Sequence, residues 1–197
     1  MNQLAQDLTA TKIKRSQQYF NKLSLIFYDF ILYGIVSKCA WGSSIQRLDA
    51  HYKKYATSNH LEVGVGTGYL LNRVVFELTQ PRLALMDLSV ACLEKTERKV
   101  SRYAPTTYVQ NLLEPIQQAI PVFDSISINY VMHCIPGNLK EKTVALTHLK
   151  TLLSQRGVLF GTTVLFEGVS KNILAKPAMW HSICWVSLTI TKIIHKT

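Results

Sequence analysis

The stretch Glu62-Val63-Gly64-Val65-Gly66-Thr67-Gly68 decides the fold, because strand-forming residues give way to closely spaced glycines within it. Residues 60–66 are typical of a strand, and a helix is predicted over residues 69–80, ended by Pro81. Glycines between a strand and a helix let the backbone turn sharply and approach a ligand without a Cβ in the way. The stretch therefore predicts a nucleotide-binding turn.

Strands and helices alternate outward from this turn. Further strands are predicted at Arg82–Asp87, 106–111, Phe123–Asn129 and 157–166, and helices at 90–103, with Ser89 as N-cap, and at 139–154. Such alternation predicts βαβ units and a parallel sheet with helices on both faces. Because crossovers are right-handed, we expect an α/β, Rossmann-like, doubly wound and mostly parallel sheet.

The composition indicates a globular chain, since 48% of the 197 residues are hydrophobic and 17% are charged. The formal net charge is +10, but the basic residues are mostly scattered, which favours solvated helix faces over a nucleic-acid surface. The four cysteines are far apart and predict no zinc site. With no leader pattern at the start of the chain, we expect reduced thiols in a cytoplasmic protein.

Two apolar stretches, residues 23–37 and 177–191, are shorter than the roughly 20 residues of a membrane-spanning helix. We interpret them as buried or covering helices, with peripheral membrane contact as the alternative. The chain is predicted to be one domain in three parts: an N-terminal helical lid over residues 1–57, a ligand-binding core over 58–170 and an atypical tail over 171–197.

The tail is the least regular part of the chain. Residues 171–176 are predicted to be helical, but residues 177–197 show neither two clean strands nor a hairpin turn. The C-terminal hairpin that would complete the sheet is therefore expected to be absent or incomplete. One hypothesis is a truncated or frameshifted product, which would expose an edge strand.

Two acidic residues narrow the choice of nucleotide. Asp87 follows Gly66 by about 20 residues, where a carboxylate can accept hydrogen bonds from ribose hydroxyls. The third glycine, Gly68, comes one residue too early for the dinucleotide pattern G-x-G-x-x-G. Glu62, two residues before Gly64, suits a ligand with an ammonium and a sulfonium group better than a pyrophosphate.

These motifs resemble those of the class I S-adenosylmethionine (SAM)-dependent methyltransferases of the small-molecule type. The likeness covers residues from about 20 to 175. The strand-two motif ends in Asp87-Leu88, the strand-three motif in Asn111-Leu112, and the strand-four motif in Asn129-Tyr130 with His133 close behind. The resemblance implies SAM as cofactor and a methyl group moved to a small-molecule acceptor.

The resemblance also implies roles for single residues. The residues implied to contact SAM are Glu62, Gly64, Gly66, Thr67, Gly68, Asp87, Leu88, Asn111, Leu112, Asn129, Tyr130 and, from the lid, Tyr28. Tyr28 can equally be an aromatic packed in its helix. Asn111 departs from the acid usual at its position, so its amide oxygen would accept the adenine amine without charge assistance.

His133 is the candidate general base, needed only if the acceptor must lose a proton; packing beneath the SAM turn is the equal alternative. Asn129-Tyr130-Val131-Met132 lacks the prolines of amine-directed DNA methyltransferases, which disfavours nucleic acid as partner. Two alternatives stay open: a SAM-binding protein with little catalysis, and, more remotely, a nicotinamide-dependent oxidoreductase. The acceptor and the oligomeric state are not readable from the sequence.

Overall fold

The computed structural model describes residues 45–165, 186–188 and 194–195. The elements in these residues are α1 (Ile45–Tyr55), β1 (Asn59–Val63), β2 (Arg82–Asp87), α2 (Val90–Lys99), β3 (Thr106–Val109), β4 (Phe123–Asn129), α3 (Leu139–Thr151), β5 (Leu153–Leu165), β6 (Val186–Leu188) and β7 (Ile194–His195), with 3-10 turns at Leu71–Arg73 and Ser101–Tyr103.

The strands form one sheet in the order β3-β2-β1-β4-β5-β6, and the first five are parallel. β1 lies between β2 and β4, so the strand order reverses beside it. Val63, the last residue of β1, is in register with Met86 of β2 and Ile128 of β4. The predicted Rossmann-like α/β fold is confirmed, and its ligand crevice lies beyond these strand ends.

Two apolar layers cover the sheet, one on each face. Leu85 and Met86 are adjacent in β2 and both fully buried, yet they belong to different layers because successive side chains of a strand point to opposite faces. Leu85 packs in the layer that contains Leu48 of α1 and Leu93 of α2. Met86 packs in the layer that contains Leu149 of α3. Burial on both faces explains the apolar runs of these strands.

The helix predicted over residues 69–80 is wrong. The structure has only the 3-10 turn Leu71–Arg73, after which Val74 is extended with φ −72° and ψ 132°. Two consecutive β-branched residues, Val74 and Val75, disfavour helix, and the extended turn brings Phe76 into the core with 7% exposure. The ring centroid of Phe76 lies 5.8 Å from that of His60.

Several other boundaries differ from the predictions by a few residues. β1 ends at Val63 and β3 at Val109, both before the predicted ends, because the chain turns there into the crevice. α2 ends at Lys99 and continues as a 3-10 turn. The predicted cap is confirmed, since the Ser89 side chain accepts from the backbone N–H of Cys92 at 3.4 Å. β5 begins earlier than predicted, at Leu153.

The tail contains two short strands that the sequence did not predict, and each of them pairs with β5, which fits the expected incomplete hairpin. Three residues of β6 pair antiparallel with Thr163 to Leu165, and two residues of β7 pair antiparallel with Val158 and Leu159. Both strands lie along β5, and they contain only three and two residues. Pairing partners so distant in sequence leave little local signal, which is why the sequence did not show them.

The predicted helices within residues 11–44 and 171–176, and with them Tyr28, lie outside the described residues. α1 is the described part of the predicted N-terminal helical region, and it packs on the sheet through Leu48 and Tyr52, which are 1% and 3% exposed. In the described part of the chain, no helix is long and apolar enough to cross a membrane.

Candidate functional site: a cavity at the strand ends

A cavity opens at the carboxyl ends of β1, β2, β3 and β4, where the topology predicts a ligand. Of the residues proposed from the sequence, it is lined by Glu62, Gly64, Gly66, Thr67, Asp87, Leu88, Asn111, Leu112, Asn129 and Tyr130. Side chains from four separate segments thus meet at one site. Gly68 and His133 are not among the lining residues.

The glycine turn closes one wall of this cavity. Gly64 has φ +68°, and a Cβ there would overlap Cγ2 of Val131, so glycine is required for both backbone and space. Gly66 has φ +52°, but a Cβ there would meet nothing within 4 Å. The space beside Gly66 therefore belongs to the cavity. Gly68 instead lies against α2, where its Cβ would meet the side chain of Thr96 at 2.8 Å.

Asp87 ties the end of β2 to the glycine turn. One carboxylate oxygen accepts from the backbone N–H of Ser89 at 2.8 Å, and the other accepts from that of Gly66 at 3.4 Å. Burial raises the pKa of Asp87, while the backbone N–H groups of Ser89 and Gly66 act in the opposite direction. This carboxylate is held rigidly and still faces the cavity, as an acceptor for two hydroxyls must.

Glu62 is a second carboxylate of the cavity, and it is only 4% exposed. Its Oε1 accepts from the hydroxyl of Tyr52 at 2.7 Å, and its Oε2 accepts from the hydroxyl of Ser127. His60, fully buried, lies beyond, with Nε2 3.4 Å from Oε2 of Glu62. Among the described lining residues, Glu62 and Asp87 are the only carboxylates, so the cavity suits a ligand with positive charge.

Asn129, the last residue of β4, and Tyr130 lie on the other side of the switch point. The Asn129 amide donates to the Tyr52 oxygen at 2.9 Å, and its carbonyl accepts from the Thr162 hydroxyl at 3.0 Å. Tyr130 has φ +58°, a conformation uncommon for a bulky residue, and its side chain is 9% exposed. The backbone thus bends sharply where β4 meets the cavity.

Asn111 and Leu112 form the wall after β3, together with Gln110, which the sequence analysis missed. Gln110 is 8% exposed, and its amide donates to the carbonyls of Asn111 at 2.8 Å and Glu114 at 3.3 Å. The sequence did carry a signal for Gln110, since it is a polar residue near the end of a predicted strand and precedes Asn111.

His133 lies one turn beyond β4 and beside Tyr130, with 6.4 Å between their ring centroids. Burial, together with the positive charge of Lys142, lowers the pKa of His133 to about 4. The imidazole is therefore neutral near pH 7, but it is a weaker base than an ordinary histidine.

Tyr52 also contacts residues of the cavity, and the sequence analysis did not select it. It belongs to α1, it contacts both Glu62 and Asn129, and it is 3% exposed. The available signal was weak, because a tyrosine four residues after Leu48 is also what an ordinary packed helix face presents.

Comparison with known proteins identifies the family. Residues 61–159 match the family model described as a methyltransferase domain. Demethylluteothin O-methyltransferase of Streptomyces thioluteus is 37% identical over 153 residues, which are 78% of this chain and 66% of that protein. Methyltransferase ctvB of Aspergillus terreus is 39% identical over 163 residues, 80% of this chain and 71% of that protein.

Solved structures agree at the level of the fold. An S-adenosylmethionine-dependent methyltransferase from Clostridium acetobutylicum superposes with a TM-score of 0.52 at 18% identity, covering 74% of this chain and 57% of that one. The chain therefore belongs to the methyltransferase domain family, and its fold is that of the class I SAM-dependent methyltransferases. It spans about two thirds of the length of the Streptomyces relative.

Proposed function

We propose that this protein is a SAM-dependent O-methyltransferase acting on a small-molecule acceptor. The observation that carries the proposal is the pair of carboxylates, buried Glu62 and half-buried Asp87, on either side of the glycine turn in one cavity. SAM offers a ribose diol, an ammonium and a sulfonium group, and these match two carboxylates better than a phosphate-bearing nucleotide does.

Different residues of the cavity would bind different parts of SAM. Asp87 would accept the ribose hydroxyls, Asn111 and Leu112 would hold the adenine, and the open space beside Gly66 leaves room for the backbone to be approached closely. Glu62, with Asn129 opposite, would face the charged amino-acid end. When bound, SAM supplies an electrophilic methyl group on a positively charged sulfur.

The protein's own contribution is placement and exclusion of water. Orientation of an acceptor next to a bound donor can account for roughly 7–11 kcal/mol of a reaction barrier. Residues 1–57 are proposed to form the lid that completes this enclosure. We propose that His133 accepts the hydroxyl proton of the acceptor. It does not line the cavity itself, but its neighbour Cys134 does.

The type of acceptor is inferred from relatives. Demethylluteothin O-methyltransferase is named for methylation at oxygen, and it shares 37% of aligned residues with this chain. The stretch Asn129-Tyr130-Val131-Met132, which begins at the last residue of β4, lacks the prolines expected for amine-directed DNA methylation. Both observations support a small hydroxyl-bearing acceptor over nucleic acid.

Two measurements test the proposal. Calorimetry with SAM, S-adenosylhomocysteine and NAD(H) should show binding of the first two alone; preferential binding of NAD(H) would make the protein an oxidoreductase candidate. Release of S-adenosylhomocysteine with a panel of phenols and quinols should then identify acceptors. Binding without turnover on any acceptor would favour a SAM-binding protein that lacks useful catalysis.

A further inference from the structure

The hydroxyl of Tyr52 lies where the two sides of the cavity meet. It donates to Glu62 Oε1 at 2.7 Å and accepts from the Asn129 amide at 2.9 Å. Glu62 is in β1 and Asn129 ends β4, so one hydroxyl from α1 links both strands at the switch point. Tyr52, Glu62 and Asn129 are 3%, 4% and 8% exposed, so water competes little for these bonds.

The rest of the surrounding network leaves little freedom to these groups. Ser127 donates to the second oxygen of Glu62, and Thr162 donates to the carbonyl of Asn129 at 3.0 Å. The Asn129 amide is therefore oriented, because its nitrogen must face Tyr52 and its oxygen must face Thr162. Without the Tyr52 hydroxyl, the carboxylate would lose a donor and the amide would lose its acceptor.

The ring of Tyr52 has a separate packing role. It makes an edge-to-face contact with Phe160 at 5.6 Å between centroids, and a similar one with His60 at 6.3 Å. Phenylalanine would preserve both contacts. Burial, followed by the charge of Glu62, raises the pKa of Tyr52, so its hydroxyl keeps its proton and remains a donor.

We propose that Tyr52 is a positioning residue of the cofactor site, which holds the Glu62 carboxylate and the Asn129 amide in the arrangement that receives the ammonium-bearing end of the ligand. The inference rests on the proposed function, and it assigns to the N-terminal helix α1 a part in binding beyond covering the site. Tyr52 does not line the cavity and acts through the two residues that do.

The test compares two ligands, of which only one carries the amino-acid arm. S-adenosylhomocysteine carries the amino-acid arm, and 5′-methylthioadenosine keeps the adenosine and the thioether without that arm. In calorimetry, Tyr52→Phe should weaken S-adenosylhomocysteine by roughly tenfold, as for loss of a hydrogen bond to a charged group, and change 5′-methylthioadenosine by less than about twofold. Tyr55→Phe is the matched control, a tyrosine of the same helix that packs on Phe160, and should change neither affinity.

A double-mutant cycle separates positioning from general damage to the fold. Glu62→Gln should also weaken S-adenosylhomocysteine selectively. Adding Tyr52→Phe to it should cost clearly less than the roughly tenfold lost in the wild-type background, since Glu62 is one of the two residues through which Tyr52 acts. If Tyr52→Phe does not fold, the ratio of the affinities of Glu62→Gln for S-adenosylhomocysteine and 5′-methylthioadenosine still tests the inference.

Parallel weakening of both ligands by Tyr52→Phe, no weakening of either, or full additivity in the cycle would each overturn the inference. An unchanged ratio of the two affinities in Glu62→Gln would do the same. A wild-type protein that binds neither ligand would instead overturn the proposed function itself, so the two failures are distinguishable.

Discussion

The side-chain amide of Asn111 donates to Oε1 of Glu114 at 2.8 Å, while its carbonyl accepts from the backbone N–H of Leu113 at 3.1 Å. Both contacts require the same orientation of the amide, since a carboxylate cannot donate and an N–H cannot accept. The negative charge expected at position 111 thus lies three residues further along the chain, on Glu114. This arrangement changes what a substitution toward the family's usual acid will do.

We expect Asn111→Asp to leave S-adenosylhomocysteine binding unimproved or about two- to fivefold weaker, because it sets two carboxylates against each other at the observed 2.8 Å separation. Asn111→Asp with Glu114→Gln should bind more tightly than Asn111→Asp alone. Calorimetry at low and high salt checks the cause, since repulsion at an exposed pair should shrink with screening. Tighter binding by the single variant would contradict this interpretation.

Asp87→Asn should abolish most cofactor affinity while leaving the fold intact. Loss of a charged acceptor for two hydroxyls predicts a drop of about 30-fold or more. Because the folded-state pKa of Asp87 is raised, its ionised form opposes folding as pH rises through that pKa, and the neutral amide removes this cost. We expect an unfolding midpoint no lower than that of wild type, measured without ligand.

Asp124 provides the matched control for that variant. Hydrogen bonds from Ser154 and Asn59 lower its pKa, so its ionised form favours folding above the unfolded-state pKa. Asp124→Asn should therefore lower the unfolding midpoint slightly and leave cofactor binding unchanged. Weakened binding in Asp124→Asn, with unchanged binding in Asp87→Asn, would refute the role of Asp87 in the cofactor site.

The first two glycines of the turn should respond differently to alanine. Gly66→Ala meets no atom within 4 Å, so it should cost only about 1–2 kcal/mol for its backbone conformation, but its methyl would occupy the cavity and weaken binding about tenfold. Gly64→Ala adds a clash with Val131 and should cost roughly 2–5 kcal/mol. Urea unfolding measures both costs; equal destabilisation would speak against the structure of this turn.

His133→Ala should lower turnover by about tenfold if the acceptor loses a proton to this residue, which is below the usual general-base effect of roughly 10²–10⁴-fold because its pKa is only about 4. Affinity for S-adenosylhomocysteine should stay within about twofold, since His133 does not line the cavity. Turnover equal to that of wild type would remove His133 from the mechanism.

The same histidine should make the fold acid-sensitive. Its pKa is lowered from 6.5 to about 4 on folding, so the unfolded chain binds the extra proton between these values and stability falls as pH drops through that window. We expect wild type to lose about 1–2 kcal/mol more than His133→Gln between pH 7 and pH 5, in urea unfolding at each pH. Identical losses would mean that His133 is not desolvated.

The sequence predicted the parallel sheet well because its signals are local. Arg82–Asp87 holds four consecutive apolar residues, and Phe123–Asn129 spaces two isoleucines with serine. The structure gives both strands the predicted bounds. The helix over residues 69–80 failed since Phe76 gains more from burial than the local pattern indicates. The pairing of Val186–Leu188 with β5 depends on a partner over twenty residues away.

The residues of the candidate site also fall into those that local sequence signals predict and those that depend on tertiary contacts. Gly64 and Asp87 could be chosen from spacing alone, because the positions after parallel strands meet at one edge. Tyr52 could not, since its contact with Glu62 depends on how α1 crosses the sheet, which no residue pattern specifies. The partnership of Asn111 with Glu114 depends on side-chain orientation within a turn.

The short strands β6 and β7 have a consequence for synthesis of the protein. They cover the far edge of β5 at Thr163 to Leu165 and at Val158 and Leu159, and they leave the ribosome after every other described strand. Until then, the nascent chain presents an unpaired strand edge, the kind of surface at which polypeptides join one another. A ribosome that stalls or stops before residue 186 would thus release a chain whose nucleotide pocket can form but whose sheet invites aggregation.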